Sequence, residues 1–144
     1  MNRRQAGGEM PNSPSFVEHA VDLLSAIGPV RVRRMFGGHG LYCDDLFFAL
    51  LDDDELFLKT DAESRPAFVE AGCRMWVYPG AAESGYYRPP DDAHEDPEAM
   101  APWARLAIEA ASRQRASKAA SQRRSKAAPG KRAARRTQRP RSSR

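Results

Sequence analysis

The strongest chemical signal in the sequence is a run of positive charge in its last 32 residues. Residues 113–144 contain thirteen Lys and Arg and no acid, a charge of +13. Such a density attracts polyanions through counterion release, and if about half of these side chains engage phosphates, the log–log salt slope is roughly −5 to −6. No aromatic side chain is present to stack on bases, so the predicted binding is sequence-tolerant and does not separate DNA from RNA. The candidate nucleic-acid-binding residues are Arg113, Arg115, Lys118, Arg123, Arg124, Lys126, Lys131, Arg132, Arg135, Arg136, Arg139, Arg141 and Arg144. The alternative is a solubilising segment that folds back on the acidic remainder of the chain.

A second candidate site is the glycine-rich segment MFGGHG, with three glycines in four positions at residues 37–40. Backbone amides in such a segment can hold a phosphate, but no GK[ST] motif and no helix follow, so a strand break with positive φ angles is the simpler interpretation. Lys59 and Arg65 are rare cations in this acidic part of the chain. The alternative function is therefore a small-molecule or anion-binding domain that uses the glycine-rich segment, Lys59 and Arg65.

The histidines and cysteines form no catalytic or metal-binding pattern. His39 and Cys43 lie four apart on a predicted strand, which separates them by about 13 Å at about 3.3 Å per residue. That distance is too long for a nucleophile–base pair or a shared metal, and no pair has the spacing of a zinc site. We therefore expect no catalytic residue, no metal and no cofactor, and we class the chain as a non-enzyme.

The charge distribution limits the function classes. Residues 1–112 carry ten Lys and Arg against nineteen Asp and Glu, a net charge of −9, which excludes a domain that binds nucleic acid over its whole surface. No apolar run approaches the roughly 20 residues of a membrane span. The polar first 15 residues lack a secretory signal, and two cysteines are too few for a disulfide framework. We expect a soluble, cytoplasmic protein that does not associate with membranes.

Composition predicts three regions. Residues 1–13 are read as a flexible arm, residues 14–112 as one domain that holds every Trp, Tyr, Phe, Leu, Ile and Val, and residues 113–144 as a basic low-complexity tail. The tail has no apolar side chain larger than Ala to offset the entropy of ordering, so it is predicted to be largely disordered. Residues 113–128 are good helix formers that can prolong the preceding helix, and Pro129-Gly130 should stop it.

Two longer helices bracket the domain. Ser13-Pro14 is typical of an N-cap followed by proline at the first helical position, and apolar residues then recur at helical spacing through Ile27. Asp96-Pro97 opens the last helix in the same way. Between them, a short helix is predicted to start near residues 63 and 64, with Phe68 and Ala71 facing inward and Gly72 after its end.

The remaining segments predict an antiparallel sheet. VRVRRMF is broken at Gly37-Gly38 and resumed by LYC, and LFFALL and ELFLK follow after aspartate turns too short for crossovers. LFFALL, apolar on both faces, should be central. MWVY and SGYYR predict a second hairpin. The predicted fold is two-layer α+β in the order α-β(3)-α-β(2)-α, with the helices mainly on one face of the sheet.

Four aromatics, Trp76, Tyr78, Tyr86 and Tyr87, lie on the second hairpin. Aromatics on a sheet can stack on single-stranded bases, but the neighbouring charge in the sequence is acidic. We therefore expect at least two of the four to lie in the core or in a subunit interface.

Several residues occur together in an order and spacing that is fairly specific: Met35, Phe36, Gly37, Gly38, Lys59, Gly72, Tyr87, Arg88 and Trp103. With them, about residues 15–112 resemble the N-terminal domain of the TfoX/Sxy family. The resemblance implies a fold related to secretion-chaperone-like α+β domains, no catalytic residues, and a link to regulation of natural competence in bacteria. Full-length members act as transcriptional coactivators with a cyclic-AMP receptor protein and carry a helical C-terminal domain, in the place of which this chain has its basic tail.

These observations predict a non-enzymatic regulatory or interaction module that resembles competence regulators. The expected partners are nucleic acid, bound nonspecifically through the tail, and a protein, for which transcription machinery is one hypothesis. A homodimer through the sheet or a helix is a further hypothesis.

Overall fold

The computed structural model describes residues 12–35, 37–77 and 83–142, with side chains through residue 125. The chain divides into two compact units, Met1–Ser112 and Arg113–Arg144. The change from one unit to the next falls where the charge changes sign. Phe36, Tyr78 and most of the predicted arm lie outside the described residues.

The elements follow one another as a meander between two helices. They are α1 (Pro14–Leu23), β1 (Arg31–Met35), β2 (Gly38–Cys43), β3 (Leu46–Asp52), β4 (Glu55–Lys59), α2 (Arg65–Glu70), β5 (Tyr86–Tyr87) and α3 (Pro97–Ser142), with 3-10 turns at Ser25–Ile27 and Asp91–His94. The five strands form one antiparallel sheet in the order β1-β2-β3-β4-β5. This confirms the predicted α+β fold and the central place of LFFALL. The difference is that four strands, not three, precede α2, because Gly37 and Gly38 reverse the chain and Met35 pairs with Gly38.

Aspartates make the two tightest turns of the sheet. Asp44 and Asp45 connect β2 to β3, and Asp53 and Asp54 connect β3 to β4, all four with φ between 51° and 63°. Two consecutive positive φ angles match the twist of antiparallel strands, and aspartate tolerates this conformation better than most residues. The predicted turn positions are therefore confirmed.

All three helices pack on the same face of the sheet. The apolar positions of α1 and α3 recur at helical spacing, so each helix buries one stripe. The common core contains Ala20, Leu23, Leu41, Phe48, Leu51, Leu56, Leu58, Phe68, Met100, Ala104 and Ala107.

The cap of α1 is as predicted, since Ser13 Oγ accepts a hydrogen bond from Phe16 N at 3.2 Å. Asp96 Oδ1 likewise accepts from Ala99 N at 2.8 Å at the start of α3.

One irregularity in β3 decides which side chains reach the opposite face. Leu41 pairs with Ala49 and Tyr42 pairs with Phe47, so Phe48 is an extra residue. Phe48 and Ala49 are both fully buried in the core as a result. The bulge turns Phe47 to the face without helices.

The second helix and second hairpin differ in detail from the prediction. Ala71 is exposed rather than inward-facing, because α2 ends at Glu70 and Ala71 already lies at the cap. The second hairpin is reduced to the two residues of β5 and a single bridge from Met75 to Tyr87. Backbone hydrogen bonds from Trp76 N to Tyr86 O and from Arg88 N to Arg74 O extend that bridge.

The second unit is helical. The helix α3 continues past Pro129 and Gly130 to Ser142, so the predicted stop at these residues is wrong in this structure. The abundance of Ala, Arg, Lys and Gln explains the helix, because these residues have high helix propensity. Disorder of residues 113–144 free in solution stays a prediction.

Candidate functional site

The face of the sheet opposite the helices carries a row of aromatic and basic side chains. Arg31 on β1 pairs with Tyr42 on β2, which pairs with Phe47 on β3. Lys59 on β4 pairs with Tyr86 on β5. We call this surface the aromatic face; it comprises Arg31, Arg33, Tyr42, Phe47, Phe57, Lys59, Arg74, Trp76 and Tyr86.

The rings of the aromatic face are in contact with one another. The ring centroids of Tyr42 and Phe47 are 5.2 Å apart, those of Phe47 and Tyr86 are 6.0 Å apart, and those of Tyr86 and Trp76 are 6.2 Å apart. Phe57, at 6.3 Å from Trp76, lies beneath them and is buried. The other four rings are half-buried, so each keeps part of its surface in water.

Cations lie over these rings. Arg31 is 5.2 Å and Arg33 is 6.0 Å from the Tyr42 centroid. Lys59 Nζ lies 5.4 Å from the centroid of Phe47 and 5.1 Å from that of Tyr86. Cation–π contacts of this kind are worth about 0.5–1 kcal/mol at exposed sites. They hold the charges next to the rings.

Acidic side chains orient three members of this surface. Trp76 Nε1 donates to Asp52 Oδ2 at 3.0 Å, and Arg74 makes two hydrogen bonds to the Glu55 carboxylate at 2.8 and 2.9 Å. Arg31 forms an ion pair with Asp45 at 3.2 Å. Burial, with a smaller contribution from Tyr42, raises the pKa of Tyr86 to about 12. Its phenol therefore stays neutral at physiological pH.

The missing side chain of Gly40 leaves room for the side chains of Met35 and Phe47. A Cβ at this position would lie 2.7–2.8 Å from Met35 Cε and Sδ and from Phe47 Cε1. Distances below 3 Å to side-chain atoms require these side chains to move. Gly40 therefore allows Met35 and Phe47 to lie against the backbone of β2.

The glycine-rich segment has a structural role. Gly37 has φ +76° at the turn between β1 and β2, and a Cβ on Gly38 would overlap the carbonyl oxygen of Leu51 on β3. Lys59 ends β4, at the end of the sheet away from Gly38, and Arg65 Nε donates to Thr60 Oγ1 at 3.1 Å. The structure therefore does not bring Gly37 and Gly38 together with Lys59 and Arg65, as the anion-binding alternative requires.

The other matched residues are positioned for packing. The buried Phe68 ring lies 4.9 Å from Trp103 and 6.0 Å from Tyr87, centroid to centroid, which joins α2, α3 and β5. Arg88 Nη1 donates to Asp91 Oδ1 at 2.6 Å. Gly72 follows α2 with φ +76°. Of the four aromatics considered on the second hairpin, Tyr87 lies toward the core, whereas Trp76 and Tyr86 lie on the aromatic face.

The basic tail residues from Arg113 to Arg141 lie on α3. The side chains of Arg115, Lys118, Arg123 and Arg124 are exposed, and that of Arg113 is half-buried. At 100° per residue these five positions are spread around the helix. Such a distribution fits contact with phosphates from any side better than recognition by one helix face. The side chains of the other eight candidates, beginning with Lys126, lie outside the described part.

The two cysteines are poor nucleophiles. Burial and, to a smaller extent, Asp44 raise the pKa of Cys43; burial raises the pKa of Cys73 against an opposing effect of Arg88. A thiol with a raised pKa is mostly protonated at neutral pH and unreactive. Within residues 12–35, 37–77 and 83–125, no three His, Cys, Asp or Glu side chains are grouped to hold a metal ion.

Acidification is expected to destabilise the domain through two histidines. Burial, with Arg34 and Arg88 respectively, lowers the pKa of His39 and of His94. The unfolded chain then binds more protons than the folded one, so stability present above about pH 6.5 is lost as the pH falls toward the lowered pKa. In His94→Gln, urea midpoints should therefore fall less between pH 7.5 and 5.5 than in the unmodified chain.

The matched control for this pH prediction is His19→Gln, which replaces an exposed histidine on α1. Its urea midpoints should keep the pH dependence of the unmodified chain. If the urea midpoints of His94→Gln keep the pH dependence of the unmodified chain, the role assigned to this half-buried ring is contradicted.

The fold and the site define a class of protein. It is a small α+β domain with one helix-covered sheet face and one aromatic and basic face, followed by a basic helical segment. The chain belongs to the family described as TfoX N-terminal domain, whose model matches residues 22–111. It is also 31% identical over 61 residues to the DNA transformation protein TfoX1 of Aliivibrio fischeri. That alignment covers 42% of this chain and 29% of the relative. Among the helices described, none is long and apolar enough to cross a membrane.

Proposed function

We propose that the protein is a non-enzymatic regulatory module, related to DNA transformation, that is held on nucleic acid by its basic tail. The observation that carries this proposal is the separation of charge between the two units: −9 over residues 1–112 and +13 over residues 113–144. A domain of net charge −9 is not suited to hold duplex DNA over its whole surface, whereas a basic helix attracts phosphates, so attachment through the tail leaves the domain available for another partner.

The link to DNA transformation comes from the family and from the printed name of the relative. This chain shares less than a third of that relative's length, so the biological role is part of the proposal. The module acts in the cytoplasm, and a component of the transcription machinery is the protein partner we propose for the domain.

The test compares the full chain with a neutral-tail variant in which all thirteen Lys and Arg of residues 113–144 are replaced by Gln. Glutamine retains length and helix propensity and removes the charge. Fluorescence anisotropy with a labelled DNA duplex should give the full chain a log–log salt slope of roughly −5 to −6. The neutral-tail variant should bind at least about a hundredfold more weakly at 50 mM salt.

A single-charge comparison controls for net charge. Arg123→Gln should reduce the salt slope by up to about one, whereas Arg105→Gln, which removes an exposed charge in the first unit, should leave it unchanged. Equal duplex binding by the full chain and the neutral-tail variant would refute the proposal.

A further inference from the structure

We propose that the aromatic face binds single-stranded nucleic acid by stacking bases on its rings, at a site separate from the basic tail. The proposal goes beyond the tail-mediated binding above, because it assigns a second site with a different preference. The charges of the tail bind phosphates, which single strands and duplexes both carry. Aromatic rings on a sheet bind the faces of unpaired bases, which single strands present and duplexes do not.

The first observation is the continuity of the ring surface. Tyr42, Phe47, Tyr86 and Trp76 follow one another at centroid distances of 5.2, 6.0 and 6.2 Å. They connect β2 to the segment beyond β5, and the three centroid distances together come to about 17 Å. A platform of this width has room for several unstacked bases. Bases inside a duplex are stacked on each other and do not present their faces to a sheet.

The second observation is the charge around the rings. Four of the ten cations of residues 1–112 lie on this face: Arg31, Arg33, Lys59 and Arg74. Three acids, Asp45, Asp52 and Glu55, lie among them and contact Arg31, Trp76 and Arg74. The face is thus slightly positive on a domain of charge −9, which complements a phosphate backbone next to the stacked bases.

The small excess of cations over acids on the aromatic face favours nucleic acid over an acidic peptide as the ligand. An acidic peptide would bind through the cations, and the three acids offset most of their charge. Bases bind through ring faces and need only a few phosphate contacts beside them, and the four rings here are half-buried and follow one another across the face. The acidic peptide is therefore an outcome to be tested, as is a second copy of the chain.

The experiment uses the full-length neutral-tail variant, so that the tail does not mask the second site. Anisotropy with labelled dT12 and with a twelve-base-pair duplex at 50 mM salt should show at least about tenfold tighter binding of dT12. In the same background, Phe47→Leu keeps apolar bulk and removes a stacking ring. It should weaken dT12 binding roughly fivefold or more.

A matched pair of charge reversals separates local from general electrostatics. Arg33→Glu on β1 should weaken dT12 binding about tenfold, and Arg105→Glu on α3, equally exposed and equal in net charge, should have little effect. Thermal melting of each variant verifies that it folds. Failure of the neutral-tail variant to bind dT12 would overturn the proposal even if the tail binds duplex DNA as proposed above. So would equal effects of the two reversals, binding of polyglutamate in place of dT12, or dimerisation that buries the face.

Discussion

Replacing Phe68 by alanine is expected to lower the free energy of unfolding by about 3–5 kcal/mol. The Phe68 ring is fully buried and lies between Trp103 of α3 and Tyr87 of β5. Its removal leaves a cavity where α2, α3 and the sheet edge meet, and Phe68 is the buried residue that α2 contributes to the core. In a domain of about 100 residues this loss should reduce Tm by more than about 12 °C.

The control for Phe68→Ala is Val69→Ala, the next residue of the same helix. Val69 is 57% exposed, so its truncation should change stability by no more than about 0.5 kcal/mol. Urea unfolding followed by circular dichroism measures both variants. If Phe68→Ala costs less than about 1 kcal/mol, the aromatic cluster does not anchor α2 in the way the structure shows.

Sequence patterns predict the helices and turns that are stabilised by interactions between residues close in sequence. Periodicity and capping at Ser13 and Asp96 predicted the two long helices, and aspartate pairs predicted the two hairpin turns. The number of strands before α2 is harder to predict, because Gly37 and Gly38 also fit a break within one strand. The turn brings Met35 opposite Gly38, and Gly38 lies against Leu51 of β3, a contact between distant residues that no local pattern contains. The short partner of β5 similarly depends on backbone hydrogen bonds at Trp76 and Arg88 rather than on its composition.

The aromatic face shows why surfaces are harder to predict than elements. Alternation along VRVRRMF puts Arg31 and Arg33 on the same side of β1. No sequence pattern marks the bulge at Phe48, which turns Phe47 away from the core and next to Tyr42. The sequence neighbours of Trp76 and Tyr86 predict an acidic surface. Three of the four cations of the aromatic face instead come from β1 and β4, which are distant from this hairpin in sequence and share a face with it only through the sheet.

Gly38→Ala is expected to be the most damaging single-atom addition in the domain, with a loss of at least about 3 kcal/mol or failure to fold. The added Cβ would overlap the carbonyl oxygen of Leu51, and a backbone atom cannot rotate away. The neighbouring residues His39 and Leu51 are paired, so β2 and β3 would have to separate where β2 begins and β3 ends. Urea unfolding, or the soluble yield if the variant does not fold, measures the effect.

Comparing Gly72→Ala with Gly38→Ala separates two reasons for a glycine: a positive φ angle at Gly72 and close contact with a neighbouring strand at Gly38. Gly72 has φ +76°, and no atom lies within 4 Å of the position of its Cβ, so alanine there should cost only about 1–2 kcal/mol of backbone strain. Both glycines belong to the residues on which the resemblance to the family rests, and they favour glycine for different reasons: Gly72 because of its φ, and Gly38 because β2 and β3 touch where a side chain would begin. Equal costs for the two substitutions would show that the strands can separate freely at Gly38. The glycine-rich segment would then have no packing role, and a ligand-binding role for it would have to be considered again.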